Sequence, residues 1–282
     1  MHRAALISVL AALLALGACN GDDEPAPVHR YVAMGDSFAS GAGLPQTTSV
    51  VCQRSRLAYP ALVAEKLDAR LDDASCGGAT TANVTAPQLI AAKSVPPQLD
   101  AVTRSTDLVT VELGYNDQNW FGALFPGCTD LAPRDPGGHP CQDAAPVGGR
   151  DPEATAHAIG EQVAATLESI EKKAPQARVL LIGYPQLVPA SGTCPELPLA
   201  TGDYPFVRSM MELLDDELRA AADSAGVTYV DVMGRSAGHD ICAGDKAWVN
   251  GGTTLPGVAA VYHPFARGQR ALADLVLAAL GD

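Results

Sequence analysis

Short apolar runs alternate with segments of helical periodicity along most of this chain, and this alternation is what most restricts the fold. Apolar runs with the length of buried strands cover residues 31–34, 74–76, 107–113, 177–183 and 227–232. Segments with helical spacing cover residues 56–71, 87–99, 152–173, 206–225 and 266–280. Because such alternation is typical of doubly wound proteins, the sequence predicts a single α/β domain with one parallel sheet between two helix layers.

Three of the predicted strands end in polar or glycine-rich turns. Ser37 follows the first strand in a Gly-Asp-Ser turn, Gly78 lies in the turn after the second, and Asn116 follows the third. Ligands of open α/β sheets bind at the carboxyl ends of the strands, so Ser37 and Asn116 are expected on one edge. A serine there can be a nucleophile if a base reaches it, although Gly-Asp-Ser is also ordinary turn chemistry. The glycine turn is either only a loop or a place where a backbone N–H comes close to a substrate.

The composition limits the classes of protein to which the chain can belong. The chain has 282 residues, of which 47% are hydrophobic and 18% charged, and this suits one large globular domain. The formal net charge is −13 and the sequence has no basic patch, which argues against a nucleic-acid partner. We expect a monomer. Residues 118–150 are rich in Gly, Pro and Asp, and a loop of this length often forms a wall or lid of a site.

The N-terminus has the layout of an export signal. Arg3 precedes an apolar run over residues 4–16, which is too short for a comfortable membrane span. The run ends in Leu-Gly-Ala-Cys at Cys19, which resembles a bacterial lipobox, in which the cysteine is lipidated and becomes the mature N-terminus. A plain secretory signal cleaved near Ala18 is the alternative.

These features divide the chain into three parts. We predict a signal peptide over residues 1–18, a flexible tether over 19–29 and one folded domain over 30–282. The domain is expected on the extracytoplasmic face of the membrane, attached through the lipid on Cys19, or secreted. The membrane is therefore a predicted partner.

Six cysteines remain beyond Cys19, and an even number in an exported chain indicates disulfides. Six cysteines allow 15 pairings. The simplest pairing is sequential and joins Cys52 to Cys76, Cys128 to Cys141, and Cys194 to Cys242. A zinc site is the rival interpretation, but His239 and Cys242 lack a second ligand pair nearby, so we expect no metal.

His263 is the natural candidate for a general base. It stands directly before Pro264 at the start of the last predicted helix, and a proline there discourages helix at His263 itself. His139, His157 and His239 have no obvious partner in the sequence. A solvated loop histidine is the alternative interpretation of His263.

Four segments, taken in order, resemble the blocks of the SGNH, or GDSL-type, hydrolase superfamily. They are residues 35–41 (GDSFASG), 77–80 (GGAT), 114–117 (GYND) and 263–264 (HP). The resemblance implies a three-layer α/β/α sandwich with a flavodoxin-like parallel sheet. The six-cysteine layout is also similar to that of secreted actinobacterial lipases and esterases of this superfamily, which implies three sequential disulfides.

The same resemblance implies a serine hydrolase that needs no cofactor. Ser37 would attack an ester carbonyl, and His263 would take its proton and return it to the leaving alkoxide. The backbone N–H groups of Ser37 and Gly78 and the side chain of Asn116 would form the oxyanion hole.

One position departs from the family pattern. The family usually has an aspartate three residues before the histidine, and here that residue is Ala260. Some actinobacterial members orient the imidazole with a main-chain carbonyl instead, so we predict a Ser-His dyad with the Ala260 carbonyl accepting from His263 Nδ1. A displaced carboxylate, Asp240 or Asp245, is the alternative.

The expected function is carboxylester hydrolysis through an acyl-enzyme, with an acyl ester or a lipid as substrate. The superfamily also contains deacetylases of surface polysaccharides, and these are the second hypothesis. The third is a non-catalytic surface binding module, although such a module has no need for the serine and the histidine together.

Overall fold

The structure is a computed structural model that describes residues 26–144 and 150–281. The predicted signal peptide, Cys19 and residues 20–25 of the predicted tether lie outside the described residues.

Strands of the described chain form one large sheet and two small antiparallel ribbons. In chain order they are β1 (Arg30–Gly35), β2 (Thr47–Ser49), β3 (Arg54–Ser55), β4 (Arg70–Asp73), β5 (Gln88–Ile90), β6 (Lys93–Val95), β7 (Leu108–Glu112), β8 (Arg178–Ile182) and β9 (Thr228–Val230). The large sheet has five parallel strands in the order β4-β1-β7-β8-β9. Counted within this sheet, the order is 2-1-3-4-5, which is the flavodoxin-like arrangement that the resemblance predicted.

Helices connect these strands and cover the sheet. The α-helices are α1 (Ser37–Ser40), α2 (Tyr59–Lys66), α3 (Trp120–Gly122), α4 (Cys128–Leu131), α5 (Pro140–Asp143), α6 (Pro152–Lys173), α7 (Asp203–Ala225), α8 (Val232–Arg235) and α9 (Ala266–Leu280). Short 3₁₀ turns occupy Thr81–Val84, Gln98–Ala101, Asp117–Asn119, Ala132–Arg134 and Gly244–Lys246, and Ala123–Gly127 forms a π-helical turn. Among the residues described, no helix is long and apolar enough to cross a membrane.

The middle strands of the sheet are buried on both faces, which is why β1, β7 and β8 read as apolar runs. Alternate residues of β1 enter two separate cores: Val32 and Met34 belong to one, and Tyr31 and Ala33 to the other. The first core contains the buried faces of α6 and α7, and the second those of α2 and α9. Each large apolar side chain that is fully buried in these cores contributes about 1.5–3 kcal/mol. The predicted three-layer α/β/α architecture is confirmed.

The predicted helix over 56–71 is much shorter in the structure, and the second strand lies earlier than predicted. The helix ends at Lys66, because Asp68 has φ 51° and breaks it. The chain then enters β4, whose residues pair with β1 from Arg30↔Arg70 onward. This strand forms an edge of the sheet and has the polar sequence Arg-Leu-Asp-Asp, so the apolar pattern placed it wrongly at 74–76.

The predicted helix over 87–99 is also wrong. Strands β5 and β6 form an antiparallel hairpin there, with Ile90 opposite Lys93. The two residues between them, Ala91 and Ala92, have φ 46° and 65°, the signs that a two-residue hairpin turn of type I′ requires. Alanine has no preference for that conformation, so the sequence carried no turn signal.

Three disulfides join Cys52 to Cys76, Cys128 to Cys141, and Cys194 to Cys242. The predicted sequential pairing is confirmed. Each bridge fastens a connection that follows a strand of the large sheet, and closing such loops typically stabilises a fold by about 2–4 kcal/mol.

Candidate active site

Ser37 follows the carboxyl end of β1 and begins the short helix α1. The Asp36 side chain caps this helix by accepting from the Phe38 N–H at 2.8 Å. Only a glycine fits at Gly35, because a Cβ there would lie 2.5 Å from the Cβ of Ala39. The tight turn therefore holds Ser37, half-buried, at the edge of the sheet.

His263 reaches Ser37 from the loop before α9, and its Nε2 lies 2.7 Å from Ser37 Oγ. Backbone contact fastens this loop to the segment after α1, because the Ala260 N–H donates to the Ala42 carbonyl at 3.1 Å. Gly43 allows the approach, since a Cβ there would lie 2.1 Å from the Ala260 nitrogen. The structure thus brings the predicted nucleophile and the predicted base into hydrogen-bond contact.

The predicted acceptor for His263 Nδ1 is wrong by one residue. The carbonyl oxygen of Val261, and not that of Ala260, lies 2.6 Å from Nδ1. The Ala260 carbonyl accepts instead from the His263 backbone N–H at 3.2 Å and from Asn250 Nδ2 at 3.0 Å. Tyr262 has φ 60°, and this left-handed residue turns the chain so that the Val261 carbonyl faces the ring.

The two alternative carboxylates serve other parts of the chain. Asp240 is buried, and its Oδ1 accepts from the Cys242 N–H at 2.8 Å. Asp245 is exposed in the Gly244–Lys246 turn. Within residues 26–144 and 150–281, the hydrogen-bond partner of His263 Nδ1 is a neutral carbonyl and no carboxylate.

The electrostatics of His263 favour its neutral form. Burial lowers its pKa below the usual value of 6.5, and the hydrogen bond to the Val261 carbonyl partly opposes this shift. A carbonyl can only accept, so Nδ1 carries the proton and Nε2 presents its lone pair to Ser37. The imidazole is therefore poised to take a proton at neutral pH.

A hydrogen bond joins the segments that carry two of the three predicted oxyanion-hole donors, Gly78 and Asn116. The Asn116 side chain donates to the Ala79 carbonyl at 3.0 Å, which ties the loop after β7 to the glycine turn that contains Gly78. Within the described chain, the backbone N–H groups of Ser37 and Gly78 have no acceptor. The second N–H of the Asn116 amide is also unused there. These donors remain free for a ligand.

Tyr184 supports the site and was missed in the sequence. It follows β8 at the same edge of the sheet, and its hydroxyl donates to Asp36 Oδ2 at 2.6 Å. The same hydroxyl accepts from the Tyr115 N–H at 3.3 Å, and the two tyrosine rings stack with centroids 3.5 Å apart. Tyr184 thereby joins the serine turn to the Asn116 loop. Its position directly beyond a predicted strand was the available signal.

A second carboxyl lies beneath the serine turn. Glu112 is fully buried, and neither of its carboxyl oxygens has a hydrogen-bond partner in the part of the chain that is described. Burial, reinforced by the charge of Asp36, raises the pKa of Glu112 well above its usual value. Burial also raises the pKa of Asp36 to about 7, against the hydrogen bonds from Tyr184 and Phe38. Both effects on Glu112 favour its uncharged form.

Aromatic rings surround the imidazole. The Phe38 ring lies 4.8 Å from the His263 ring, and the half-buried Phe121 ring lies 5.7 Å away, edge-on. Phe125 continues this surface at 5.1 Å from Phe121. Phe121 and Phe125 belong to the predicted wall region, and the disulfide at Cys128 holds that region in place.

A cavity of about 470 Å³ adjoins the Asn116 loop. Its walls are mostly hydroxyl and amide side chains: Thr80, Thr81, Thr85, Gln118, Gln162, Thr166 and Ser169. Asp117 lies in the wall and accepts from the Thr81 N–H at 3.1 Å. Nowhere in residues 26–144 and 150–281 do three or more His, Cys, Asp or Glu side chains come together as metal ligands.

Comparison with known proteins agrees with this geometry. The profile of the GDSL-like Lipase/Acylhydrolase family matches residues 33–271. Lipase 2 of Streptomyces coelicolor is 37% identical over 284 residues, which cover 95% of this chain and 93% of that protein.

Two crystal structures from Streptomyces have a similar fold. Phospholipase A1 of Streptomyces albidoflavus is 27% identical with a TM-score of 0.74, and the extracellular lipase of Streptomyces rimosus is 28% identical with a TM-score of 0.73. Each match covers 89% of this chain and 99% of the other. The chain is therefore a carboxylester hydrolase and belongs to the GDSL-like lipase/acylhydrolase family.

Proposed function

We propose that Ser37 and His263 form a catalytic dyad that hydrolyses acyl esters through an acyl-enzyme. The observation that carries this proposal is the 2.7 Å contact between Ser37 Oγ and His263 Nε2 at the carboxyl edge of the sheet. The serine needs an adjacent base to become a nucleophile, and this contact supplies one.

The reaction proceeds in two halves. Ser37 Oγ bonds to the ester carbonyl carbon while His263 Nε2 takes its proton, which leaves a tetrahedral oxyanion. The carbon–oxygen bond to the alcohol then breaks, and the imidazolium protonates the departing alkoxide. Water then attacks the acyl-enzyme through the same two steps, so the acid is released and Ser37 regains its proton.

The Val261 carbonyl gives the base its orientation. By accepting from Nδ1–H, it holds the tautomer whose Nε2 lone pair faces Ser37. A neutral carbonyl stabilises the imidazolium less than an ionised aspartate would, so more of the rate enhancement must come from the oxyanion hole. We assign that hole to the N–H groups of Ser37 and Gly78 and the amide of Asn116, each of which can contribute roughly 10²–10³ in rate.

The substrate that we propose is an acyl ester, including those of lipids. The half-buried Phe121 beside the imidazole offers apolar surface to an acyl chain. Three similar proteins are described as a lipase, a phospholipase A1 and an extracellular lipase, and these descriptions support the same substrate class. A deacetylase of surface polysaccharide is the second candidate, which the hydroxyl-lined cavity next to Asn116 favours.

We also propose that the protein works outside the cytoplasm as a monomer, anchored through a lipid on Cys19. The support is the lipobox-like end of the predicted signal peptide and the three disulfides, which are typical of exported proteins. Mass spectrometry of the mature N-terminus tests the anchor, because an unmodified N-terminus excludes it. Sedimentation of the Cys19→Ser protein tests the monomer.

Labelling with an organophosphonate ester tests the nucleophile directly. The reagent should add one phosphonyl group to the wild-type protein, and peptide mapping should place it on Ser37. Ser37→Ala should take up none, while the matched control Ser40→Ala, three residues further along α1, should label normally. Stoichiometric labelling of Ser37→Ala would falsify the assignment.

An activity panel separates the candidate functions. The wild-type protein should hydrolyse p-nitrophenyl esters from acetate to decanoate, with kcat/KM higher for the longer chains. A deacetylase should act on acetate and acetylated sugars alone, and a binding module should turn over none of them.

A further inference from the structure

Gly78 lies in a four-residue turn after β4, in which the Ala79 N–H donates to the Cys76 carbonyl at 3.0 Å. The angle φ is positive at Gly78 (75°) but not at Gly77, and this is the pattern of a type II turn. A type I turn differs from it mainly by a half rotation of the central peptide, here the one between Gly77 and Gly78. Glycine at the third position is compatible with both types, so the sequence of the turn does not decide between them.

Two hydrogen bonds fix the ends of this turn to the rest of the site. The Cys76 N–H donates to the carbonyl of Gly35 at 3.0 Å, at the end of β1 and two residues before Ser37. The Ala79 carbonyl accepts from the Asn116 side chain at 3.0 Å. Neither contact involves the central peptide, so the ends of the turn can stay in place while that peptide rotates.

The central peptide contains the proposed oxyanion donor. The carbonyl of Gly77 and the N–H of Gly78 belong to one planar trans unit, in which they point in opposite directions. A contact that fixes the direction of this carbonyl therefore fixes the direction of the N–H as well. A half rotation of the peptide would point the N–H away from its present direction and remove it as a donor.

The side chain of Gln88 supplies such a contact. Its Nε2 donates to the Gly77 carbonyl at 2.9 Å and lies 3.8 Å from the position that a Cβ would take at Gly78. Because a carbonyl can only accept, the nitrogen of the amide, and not its oxygen, must face it. Within residues 26–144 and 150–281, the Gly77 carbonyl accepts no other hydrogen bond.

The β5–β6 hairpin brings Gln88 to this place. Gln88 and Ile90 share one face of β5, and Leu89 between them points to the other face, where it is 78% exposed. Ile90 packs against the core that contains α6 and α7, and so does Val95, which pairs with Gln88 across the hairpin. The inner face of the hairpin therefore rests on the core and holds the amide beside the glycine turn.

Packing alone does not explain an amide at this position. The Oε1 of Gln88 is buried and has no hydrogen-bond partner in the described part of the chain. A buried oxygen without a partner destabilises a fold, whereas an apolar side chain of similar length would fill the same space without that cost. What the amide adds is the hydrogen bond to the Gly77 carbonyl.

We propose that Gln88 is a positioning residue for the oxyanion hole. Its amide holds the Gly77–Gly78 peptide in the orientation that presents the Gly78 N–H to the tetrahedral intermediate. This proposal rests on the proposed function of Ser37 and His263 and adds a residue that acts through one of the assigned donors. Because the oxyanion is absent from the bound ester, loss of this contact should lower kcat and leave KM nearly unchanged.

Gln88→Met tests the proposal, because it removes the amide and keeps an unbranched side chain of similar length. On p-nitrophenyl butyrate, kcat should fall about tenfold, since a lost oxyanion donor costs roughly 10²–10³ and the turn still populates type II part of the time. The inhibition constant of a trifluoromethyl ketone, whose adduct with Ser37 carries an oxyanion, should rise by a similar factor. The thermal unfolding midpoint should stay close to that of wild type, because the buried Oε1 is removed as well.

Gln88→Glu gives a readout that a loss of packing would not produce. At pH 8 its carboxylate has no proton to donate, so kcat should be at least as low as in Gln88→Met. As the pH falls towards about 4.3, the usual pKa of a glutamate side chain, the protonated carboxyl can donate to the Gly77 carbonyl. The ratio of its kcat to that of wild type at the same pH should therefore rise.

Gln53→Met is the matched control. The Oε1 of Gln53 lies 2.6 Å from the position that a Cβ would take at Gly77, so this side chain borders the same turn, and an oxygen cannot donate to it. Its kcat should stay close to that of wild type. Wild-type kcat in Gln88→Met would overturn the proposal, as would a Gln88→Glu ratio that does not rise at low pH. An equal loss in Gln53→Met would also overturn it, because it indicates general loosening of the turn. If the wild-type protein does not hydrolyse the ester, the proposed function itself has failed.

Discussion

The two halves of the candidate dyad are held in place by different kinds of contact. The serine turn rests on buried side chains, with Asp36 accepting from Phe38 and Tyr184 at 2.8 and 2.6 Å. The histidine loop rests mainly on backbone groups: the Val261 and Ala260 carbonyls accept from His263, and the Asn250 side chain adds a donor to Ala260. A substitution can remove a side-chain hydrogen bond directly, whereas hydrogen bonds between backbone groups survive most substitutions. The two regions should therefore respond differently to the same chemical change.

The largest expected effect is on the histidine side, where one ring carries the chemistry. His263→Ala should lower kcat by about 10⁴-fold on a p-nitrophenyl ester, because the base for Ser37 is removed. The backbone contacts of the loop do not need the ring, so the thermal unfolding midpoint should stay close to that of wild type.

His239→Ala is the matched control for that variant. His239 lies in the same long connection, stacks on Trp248 at 4.6 Å between ring centroids, and places Nδ1 near the Lys246 carbonyl. It should keep kcat within about threefold of wild type. A large loss in His239→Ala, with little in His263→Ala, would mean that the base has been misassigned.

On the serine side, the expected effect is a pH dependence of the free energy of unfolding. Burial raises the pKa of Glu112 above its usual value of 4.5, so the folded protein keeps the proton that the unfolded chain loses. The free energy of unfolding should therefore fall by about 1.4 kcal/mol per pH unit above pH 4.5, until the raised pKa is reached.

Glu112→Gln removes this titration while it keeps the shape of the side chain. The variant should match wild type in urea unfolding near pH 4.5 and become progressively more stable than wild type as the pH rises towards 8. Glu168→Gln, at an exposed position of α6, is the control and should show no such divergence. A stability difference that is constant between pH 4.5 and pH 8 would show that Glu112 does not hold a proton in the folded state.

Removing a single hydroxyl from the hydrogen bonds around the serine turn should have a smaller effect, which should be measurable in kcat. Tyr184→Phe removes the hydrogen bond to Asp36 and the acceptor of the Tyr115 N–H, so kcat should fall about tenfold, with little change in KM. Tyr204→Phe is the control, since the Tyr204 hydroxyl bonds the backbone around Cys194. If both variants lose kcat equally, the effect is general loosening and not positioning of the serine turn.

The same contrast explains what the sequence could predict. Ser37 and Asn116 follow buried strands, and a local pattern of apolar residues and turn formers is enough to place them on one edge. The acceptor of His263 Nδ1 depended on the left-handed φ of Tyr262, which tertiary contacts impose and no local pattern reveals. Strand β4 was misplaced for a related reason, because an edge strand with a polar sequence has no apolar run. Tyr184 was missed because it supports the serine turn through a hydrogen bond to Asp36, and this tertiary contact leaves no local pattern in the sequence.

The smallest expected effect is the one that tests whether the histidine side depends on a carboxylate. Asp240→Asn and Asp245→Asn should each change kcat less than threefold, because the neutral acceptor at Val261 already satisfies His263 Nδ1 at 2.6 Å. Asp240→Asn should show a small loss of stability, since the Asp240 side chain accepts from the Cys242 N–H and an amide oxygen accepts more weakly than a carboxylate. Asp245 is exposed, and its replacement should be neutral in stability as well. The measurement is kcat on a p-nitrophenyl ester together with the unfolding midpoint. A thousandfold loss of kcat in either folded variant would mean that a carboxylate orients the imidazole during turnover, and the dyad would then have to be replaced by a triad with a relocated acid.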